Sequence, residues 1–321
     1  MGKMRALLLL LAIPLLATFA PLEMAEPPVV PQRPFVTAEP VPLREDAPGD
    51  RRLGGLTFLG GWWLRSNHPD FGGISAMHVE GGRVLALGDG GVLMGFGLPA
   101  RRGRTTLWTM PLPDVVGKSK TRRDTEAMAI AGGSAWVAFE RRNSIHRYKL
   151  KGWQKDAEQQ PAAMKGWSSN SGGEAMVRLR NGRFLVFCEG RTGEEATEVV
   201  LFEGDPAVAG TRAMRLRYRP PPGYRITDAA ELPGGGLLFL NRRVGLPEGF
   251  SAKLTLMARP SFVAGSVLEG EEIADFAPPV TTDNYEALSV TQESGRTILW
   301  IASDDNFIEL ERTLLMKFAL N

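Results

Sequence analysis

The chain has few of the residues that most often form cross-links and metal sites. Its single cysteine, Cys188, excludes an intrachain disulfide, so a hydrophobic core has to hold the fold together. Cys188 lies in the apolar run 184–188 with no histidine or basic residue near it in sequence, which predicts a buried structural thiol. The three histidines, His68, His78 and His146, lack the spacing of metal ligands.

Signatures of serine hydrolases and of nucleic-acid-binding proteins are also missing. Residues 73–77 fail to match G-x-S-x-G at the last glycine, so a nucleophile elbow is not supported. A net charge of +2 without a cluster of Lys and Arg argues against a nucleic-acid partner. Long helical periodicity is absent, and short apolar runs punctuated by Gly, Asn and Asp indicate an all-β fold.

The N-terminus has the pattern of an export signal. Basic Lys3 and Arg5 precede the apolar run 7–16, which is shorter than the roughly 20 residues that span a bilayer. We therefore interpret residues 1–20 as a signal peptide or N-terminal anchor and predict a periplasmic or secreted protein with no other membrane span. The segment 21–52 contains eight prolines, which favour extended backbone, and is interpreted as a linker.

One pattern recurs five times within residues 53–321. An acidic or small polar residue is followed by alanine, an apolar or small residue, a turn, and an apolar strand that ends in a polar cluster. The copies open at Ser75, Glu126, Glu174, Asp228 and Glu286. Their spacing of 48 to 58 residues, with room for four strands in each copy, is typical of β-propeller blades.

The two ends of the domain together make one further repeat. Only three strands fit after Glu286, and a strand near 56–64 would complete that blade and remove its exposed edge. We therefore predict a β-propeller with five four-stranded blades, closed by an N-terminal strand in the last blade. A divergent repeat hidden near 145–170 would raise the number of blades to six.

The repeat predicts a site at one mouth of the central channel. The first two strands of a blade are antiparallel, so the residues that open the first strand and close the second lie at the same end. The closing residues are Asp89, Glu140, Glu189, Asn241 and Asp304. Facing carboxylates repel each other unless they protonate, pair with arginine or bind a hard cation such as Ca²⁺. Each one could instead accept backbone N–H groups at a strand end.

These segments resemble the phytase-like family of exported bacterial proteins, labelled "esterase-like activity of phytase". The resemblance covers residues 53–321, and its most distinctive part is the pair of segments 303–307 (S-D-D-N-F) and 312–315 (R-T-L-L). The other matching segments are 71–75, 87–89, 124–128, 139–141, 172–176, 188–189, 240–243 and 284–288. The resemblance implies a propeller and hydrolase activity; propeller phytases use Ca²⁺ to bind phytate and activate water.

The residues and the resemblance together suggest a metal-dependent ester or phosphoester hydrolase. The candidate ligands of the divalent cation, in the first place Ca²⁺, are Glu126, Glu174, Asp228, Glu286 and Asp304. The candidate general bases are Glu140 and Glu189. The residues expected to bind a small anionic or ester substrate are Arg141, Arg191, Arg242 and Asn241. The protein is expected to be a monomer.

Two other functions fit the same pattern. A non-catalytic propeller of the cell envelope would use the arginines to bind a ligand or partner without an ion. A Ca²⁺-dependent lactonase-like enzyme would hold one ion with glutamate and asparagine ligands such as Glu126 and Asn241.

Overall fold

A computed structural model describes residues 30–99, 103–113, 124–168, 172–190, 193–245, 247 and 249–321. The predicted signal or anchor, residues 1–20, and the predicted substrate-binding residue Arg191 lie outside these ranges. The chain separates into two units, Met1–Val30 and Pro31–Asn321, and the strands of the described residues lie in the second. Within the described ranges, no helix has the length and hydropathy of a membrane span.

The strands fall into four-stranded antiparallel blades. Before the first repeat come β1 (Phe35–Pro40), β2 (Arg52–Leu53) and β3 (Leu56–Ser66). Blade 1 contains β4 (Ile74–Glu80), β5 (Arg83–Gly88), β6 (Val92–Gly97) and β7 (Gly103–Pro111). Blade 2 contains β8 (Thr125–Ala131), β9 (Ser134–Phe139), β10 (Ser144–Lys149) and β11 (Gln154–Gln159). Blade 3 contains β12 (Gly173–Arg178), β13 (Phe184–Cys188), β14 (Thr197–Phe202) and β15 (Ala213–Tyr218).

The remaining strands complete the ring. Blade 4 contains β16 (Arg225–Glu231), β17 (Leu237–Gly245), β18 (Gly249–Met257) and β20 (Glu271–Phe276), while β19 (Val267–Leu268) pairs in parallel with β15. Blade 5 contains β21 (Tyr285–Glu293), β22 (Arg296–Ser303), β23 (Leu314–Leu320) and the N-terminal strand β3. Because β3 pairs with β23, the predicted closure of the last blade by an N-terminal strand is confirmed.

The inner strands form a closed ring around a central channel. In sequence order, β4, β8, β12, β16 and β21 each contact the next, and β21 contacts β4. A buried hydrophobic cluster lies between each neighbouring pair of blades, including the last and the first. The core is therefore distributed around the ring, as expected of radially arranged sheets, and the β-propeller prediction is confirmed.

The burial of each strand follows its place in the blade. In β13, the second strand of blade 3, every residue is buried, because both faces pack on neighbouring blades. The outer strand β15 of the same blade alternates between buried and exposed residues over much of its length. Continuous apolar runs therefore mark the strands near the axis, and alternation marks those at the rim.

The proline-rich segment contains a strand that the sequence analysis missed. Residues of β1 pair with β3 on one side and with β7 on the other, which joins blades 5 and 1 into one sheet. Val36, Ala38 and Leu43 are buried. The interpretation of residues 21–52 as a linker therefore does not hold for this part of the segment. Pro34 and Pro40 stand just before and at the end of β1, where a missing N–H is tolerated.

The region proposed to hide a sixth repeat belongs to blade 2. Its residues form β10, β11 and a short 3₁₀ helix, Ala162–Met164. Met164 and Trp167 then bury their side chains in the cluster between blades 2 and 3. The described residues of 145–170 therefore complete and cover an existing blade.

Candidate functional site

A β-bulge occurs near the start of every inner strand. In each blade, one residue of the inner strand is skipped in the pairing with the second strand, and the register resumes one position later. A bulge leaves its extra residue out of the ladder and redirects its side chain. The skipped residues are Ser75, Glu126, Glu174, Thr227 and Glu286.

The same register identifies the residue that follows each second strand at the channel mouth. In every blade, we take the second-strand residue that pairs with the inner strand just before the bulge, and the next residue along the chain occupies the equivalent position. The equivalent residues are Asp89, Glu140, Glu189, Arg242 and Asp304. Together with the skipped residues, these side chains form what we call the channel ring.

The sequence-based alignment of the fourth repeat is wrong by one residue. The skipped residue is Thr227, and Asp228 pairs with Leu240 in the ladder. The Asp228 carboxylate accepts the N–H of Ala229 at 2.8 Å and that of Leu288 at 2.7 Å, which joins blade 4 to blade 5. Burial raises the pKa of Asp228 to about 8. Asp228 is therefore a structural residue between blades and does not belong to the channel ring.

Asn241 is displaced from the site by the same shift. Its side chain is fully buried, accepts the Tyr218 hydroxyl at 2.7 Å and donates to the carbonyl of Phe239 at 3.2 Å. It thus contributes to the core and does not occupy the channel-ring position of its blade. The lactonase-like ligand set that relied on Asn241 is not formed. Arg242, the next residue, takes the position in the channel ring.

The two hydroxyl members of the ring have matching structural roles. Ser75 donates to the carbonyls of Leu87 and Thr125, and Thr227 donates to those of Leu240 and Tyr285. Each hydroxyl thus joins its own second strand to the next inner strand. The equivalent glutamates of blades 2, 3 and 5 are left to face one another, since their charges interact across the channel.

Three carboxylates of blade 2 lie close together and form what we call the acidic cluster: Asp124, Glu126 and Glu140. One oxygen of each lies within 4.8 Å of the others. Burial, followed by the charges of Glu174 and Glu286, raises the pKa of Glu126 well above its usual value. A group of this kind, offering only carboxylate oxygens at short range, has the chemistry of a hard-cation site.

Glu140 lies at the edge of the acidic cluster against blade 3. Its Oε1 accepts the N–H of Gly172 at 3.4 Å, and burial together with the Asp124 charge raises the pKa of Glu140 to about 7. A Cβ on residue 172 would lie 2.6 Å from the Glu140 carbonyl oxygen, so glycine permits this close approach. Glu140 can thus exchange a proton near neutral pH.

Positive charge is concentrated on the other side of the ring. Arg242 Nη1 lies 3.0 Å from Glu286 Oε1 and donates to Asn284 Oδ1 at 2.6 Å, while Nη2 lies 3.8 Å from Glu189 Oε1. Arg225 Nη1 binds the same Glu189 oxygen at 2.9 Å. The predicted base Glu189 is therefore held by a hydrogen-bonded ion pair with Arg225 and by a longer ion pair with Arg242.

The remaining predicted ligands lie around the same axis. Glu174 interacts with the charges of Glu189, Glu286 and Arg242, and burial raises its pKa well above the usual value. Burial also raises the pKa of Glu286, while Arg242 opposes this shift. Burial, with the charge of Glu286, raises the pKa of Asp304 to about 8. These three acids thus lie in the ring, as their repeat positions predict.

Of the predicted arginines, only Arg242 reaches the middle of the ring within the described ranges. Arg141 Nε donates to Asp124 Oδ2 at 2.5 Å from a partly exposed position, so it neutralises one member of the acidic cluster. Three further residues of the site, Asp124, Arg225 and Asn284, were not predicted from the sequence. All three lie two positions before a skipped residue, and a repeat alignment that included the bulge would have found them.

Comparisons with known proteins fit this architecture. A family model described as "Phytase-like: Esterase-like activity of phytase" matches residues 69–307, a range that contains all of the inner strands. No curated protein matches the chain significantly.

Two solved structures illustrate how distant the structural likenesses are. The glutaminyl cyclase of Myxococcus xanthus is 11% identical, with a TM-score of 0.48, and the match covers 83% of this chain and 97% of that chain. An α-L-arabinofuranosidase (CtGH43) of Clostridium thermocellum is 9% identical, with a TM-score of 0.45, over 71% and 80% of the two chains. Likenesses at this level carry no conclusion about activity.

Proposed function

Because the chain belongs to the phytase-like family, we propose that it is a metal-dependent ester or phosphoester hydrolase whose active site is the channel ring. The observation that supports this most directly is the separation of charge around the ring. Carboxylates crowd together in blade 2, and guanidinium groups bind the acids of blades 3 and 5. A hydrolase that uses a cation and an anionic or ester substrate needs both features side by side.

The acidic cluster fits a divalent cation, in the first place Ca²⁺. Asp124 and Glu126 supply carboxylate ligands, and Glu174 lies close enough to Glu126 for their charges to interact. Without a cation, desolvation and mutual repulsion raise the pKa of Glu126 and of Glu174 and favour their protonated forms, so binding a cation relieves an existing electrostatic cost. When bound, the cation supplies a Lewis acid for the ester or phosphoryl oxygen.

Glu140 is proposed as the general base. Its pKa of about 7 leaves a substantial deprotonated fraction at neutral pH, and it lies at the edge of the acidic cluster where a water molecule can reach it. The other predicted base, Glu189, is bound by Arg225 and Arg242. We assign Glu189 to holding those guanidinium groups in place.

Arg242 is proposed to bind the anionic or carbonyl oxygen of the substrate. Its guanidinium group can form a forked pair with a carboxylate or phosphate, and it is already oriented by Asn284 and Glu286. An incoming anion would share Arg242 and Arg225 with Glu189. The substrate would then lie between the arginines and the acidic cluster. We further propose that the protein acts after export, in the periplasm or outside the cell.

Hydrolysis of p-nitrophenyl acetate and p-nitrophenyl phosphate by the purified full chain tests the proposal. We expect EDTA treatment to abolish turnover of at least one of them and Ca²⁺ to restore it. The Glu126→Gln variant should not respond to Ca²⁺, whereas Asp156→Asn, altered in the outer strand β11, should behave as the wild type. Turnover that is indifferent to EDTA, or no turnover of either substrate, would contradict the proposal.

A further inference from the structure

An aromatic residue at the channel mouth has an unusual backbone conformation. Phe307 has φ = +54° and follows Asn306, which has φ = +45°. Asparagine enters this left-handed region readily, but for a bulky residue such as phenylalanine it is a rare and costly conformation. Strain of this kind persists only where surrounding interactions impose it, and it is common at ligand-binding positions.

The loop after β22 is held in this conformation by two acidic side chains. Asp304 Oδ1 accepts the N–H of Asn306 at 2.7 Å. Asp305 Oδ1 accepts the N–H of Gly73 at 2.9 Å and that of Phe307 at 3.3 Å, and its Oδ2 accepts the Thr313 hydroxyl at 2.7 Å. The loop is therefore fixed both to blade 5 and to the segment that leads into blade 1.

This anchoring places the Phe307 ring directly beside the channel ring. A Cβ built on Gly73 would lie 2.6 Å from the Phe307 ring and 2.9 Å from Asp89 Oδ1. The phenyl ring and the carboxylate therefore both lie close to Gly73. The charge of Asp89 in turn interacts with Glu286 and Asp304. Phe307 is thus adjacent to the site and is not part of the buried core.

The anchored phenyl ring is nevertheless exposed to solvent. Phe307 is 57% exposed, and the neighbouring Ile308 and Leu310 are 49% and 92% exposed. We call these three residues the apolar lip. Exposed apolar side chains held rigidly at the edge of a polar site give apolar surface that a ligand can cover without a further ordering cost.

We propose that Phe307 is a specificity-determining residue that binds the apolar part of the substrate, so that the enzyme prefers esters or phosphoesters carrying an aryl or other bulky apolar group. This inference rests on the proposed function, because it assumes that the anionic or ester group lies in the channel ring. The apolar lip then receives the substituent that projects out of the mouth toward blades 5 and 1.

Binding of two phosphonates to the Ca²⁺-loaded full chain, measured by calorimetry, tests this inference. Phenylphosphonate should bind the wild type about tenfold more tightly than methylphosphonate, because the phenyl group covers apolar surface at the lip. Phe307→Ala should remove this preference without changing the affinity for methylphosphonate, and Phe307→Tyr should retain it. Val263→Ala, which alters an exposed valine in the loop after β18, should leave both affinities unchanged.

The possible results separate this inference from the proposed function. If neither phosphonate binds, the inference about Phe307 fails, and the hydrolysis assay described above decides the proposed function separately. If the wild type binds both equally, or if Phe307→Ala keeps the preference, only the role of Phe307 is overturned. A Phe307→Gly variant distinguishes binding from folding: it should lose the preference without a lower midpoint of urea unfolding, since glycine accepts φ > 0. A clearly lower midpoint would assign Phe307 a structural role and overturn the inference.

Discussion

Arg242 Nη1 lies 3.0 Å from Glu286 Oε1, and this ion pair joins the neighbouring blades 4 and 5. The same guanidinium group interacts with the charges of Glu174, Glu189 and Asp304. One arginine thus offsets the repulsion among acids contributed by two neighbouring blades. The ring is stabilised unevenly, because the acidic cluster of blade 2 lies on the other side.

Replacing Arg242 should weaken both the fold and substrate binding. Arg242→Gln leaves Glu286 and Glu189 without this partner, and we expect unfolding free energy to fall by about 2 kcal/mol in the metal-free protein. This is less than the roughly 3–5 kcal/mol of a fully buried pair, because the side chains of Arg242 and Glu286 remain 19% and 14% exposed. Urea denaturation and KM measurements check this. Arg243→Gln, which alters an exposed arginine over Tyr224, is the control, and an equal effect there would contradict the prediction.

Activity should rise with pH through the titration of Glu140. Its pKa is raised to about 7 in the absence of a cation, and Ca²⁺ bound to the acidic cluster lowers it, so kcat/KM of the Ca²⁺-loaded enzyme should rise with pH over an interval below pH 7. Glu140→Gln should remove this limb of the profile and lower kcat by roughly 10²-fold or more.

The variant Glu189→Gln separates the two predicted bases. It should keep the rising limb and change KM, because Glu189 is bound to Arg225 and Arg242. A pH profile that loses its limb in Glu189→Gln and keeps it in Glu140→Gln would reverse the assignment.

Ca²⁺ binding should distinguish Glu126 from Asp228. A cation at 100 times its Kd stabilises the wild type by about 2.7 kcal/mol, and Glu126→Gln should lose this increment. Asp228→Asn should keep this Ca²⁺-dependent stabilisation. Without Ca²⁺, however, the variant should be about 1–3 kcal/mol less stable than the wild type, because the N–H₂ group of asparagine would face one of the two backbone N–H groups that Asp228 accepts. Thermal or urea unfolding with and without Ca²⁺ measures both effects. If Asp228→Asn were no longer stabilised by Ca²⁺, Asp228 would be a ligand of the cation, which would contradict the prediction.

Without a cation, the folded protein should lose stability as the pH rises. Burial raises the pKa of Asp304 and of Asp228 to about 8 from an ordinary value of 3.8. Between these values the folded state binds more protons than the unfolded state, so unfolding free energy falls with pH, by up to about 1.4 kcal/mol per pH unit for each such proton.

This dependence can be measured by urea denaturation in EDTA between pH 4.5 and 8. The slope should become shallower in Asp304→Asn and in the presence of Ca²⁺, because each change removes part of the repulsion within the ring. Stability that increases with pH over this interval in EDTA would show that the ring acids are ionised at little cost, which contradicts the predicted direction.

Much of the architecture was predictable because each repeat carries the same short pattern of residue types. An acidic residue before alanine, followed by a turn and an apolar strand, placed Glu126, Glu174 and Glu286 at matching positions. The structure puts all three at the same bulge. The strand that completes the last blade was predictable for a similar reason, since an edge strand needs a partner.

Other features depended on hydrogen-bond register, which residue types do not reveal. In the fourth repeat, Asp228 and Asn241 are the residue types that the repeat pattern leads one to expect, but each lies next to the residue at the channel-ring position. A displacement of one position turns a strand side chain to the other face. Strand β1 was missed because its flanking prolines suggested a linker, although its pairing partners lie in blades 5 and 1.

From its amino acids alone, this chain could be assigned to an all-β propeller with acidic residues near the axis, because periodic burial and turn residues are local properties. The separation of a carboxylate cluster in blade 2 from the arginines of blade 4 arises only when the blades close into a ring. The position of Phe307 beside Asp89 likewise depends on Gly73, which lies far away in sequence. Charges and side chains distant along the chain interact only once folding brings them within a few ångströms, and that proximity decides the chemistry of the site.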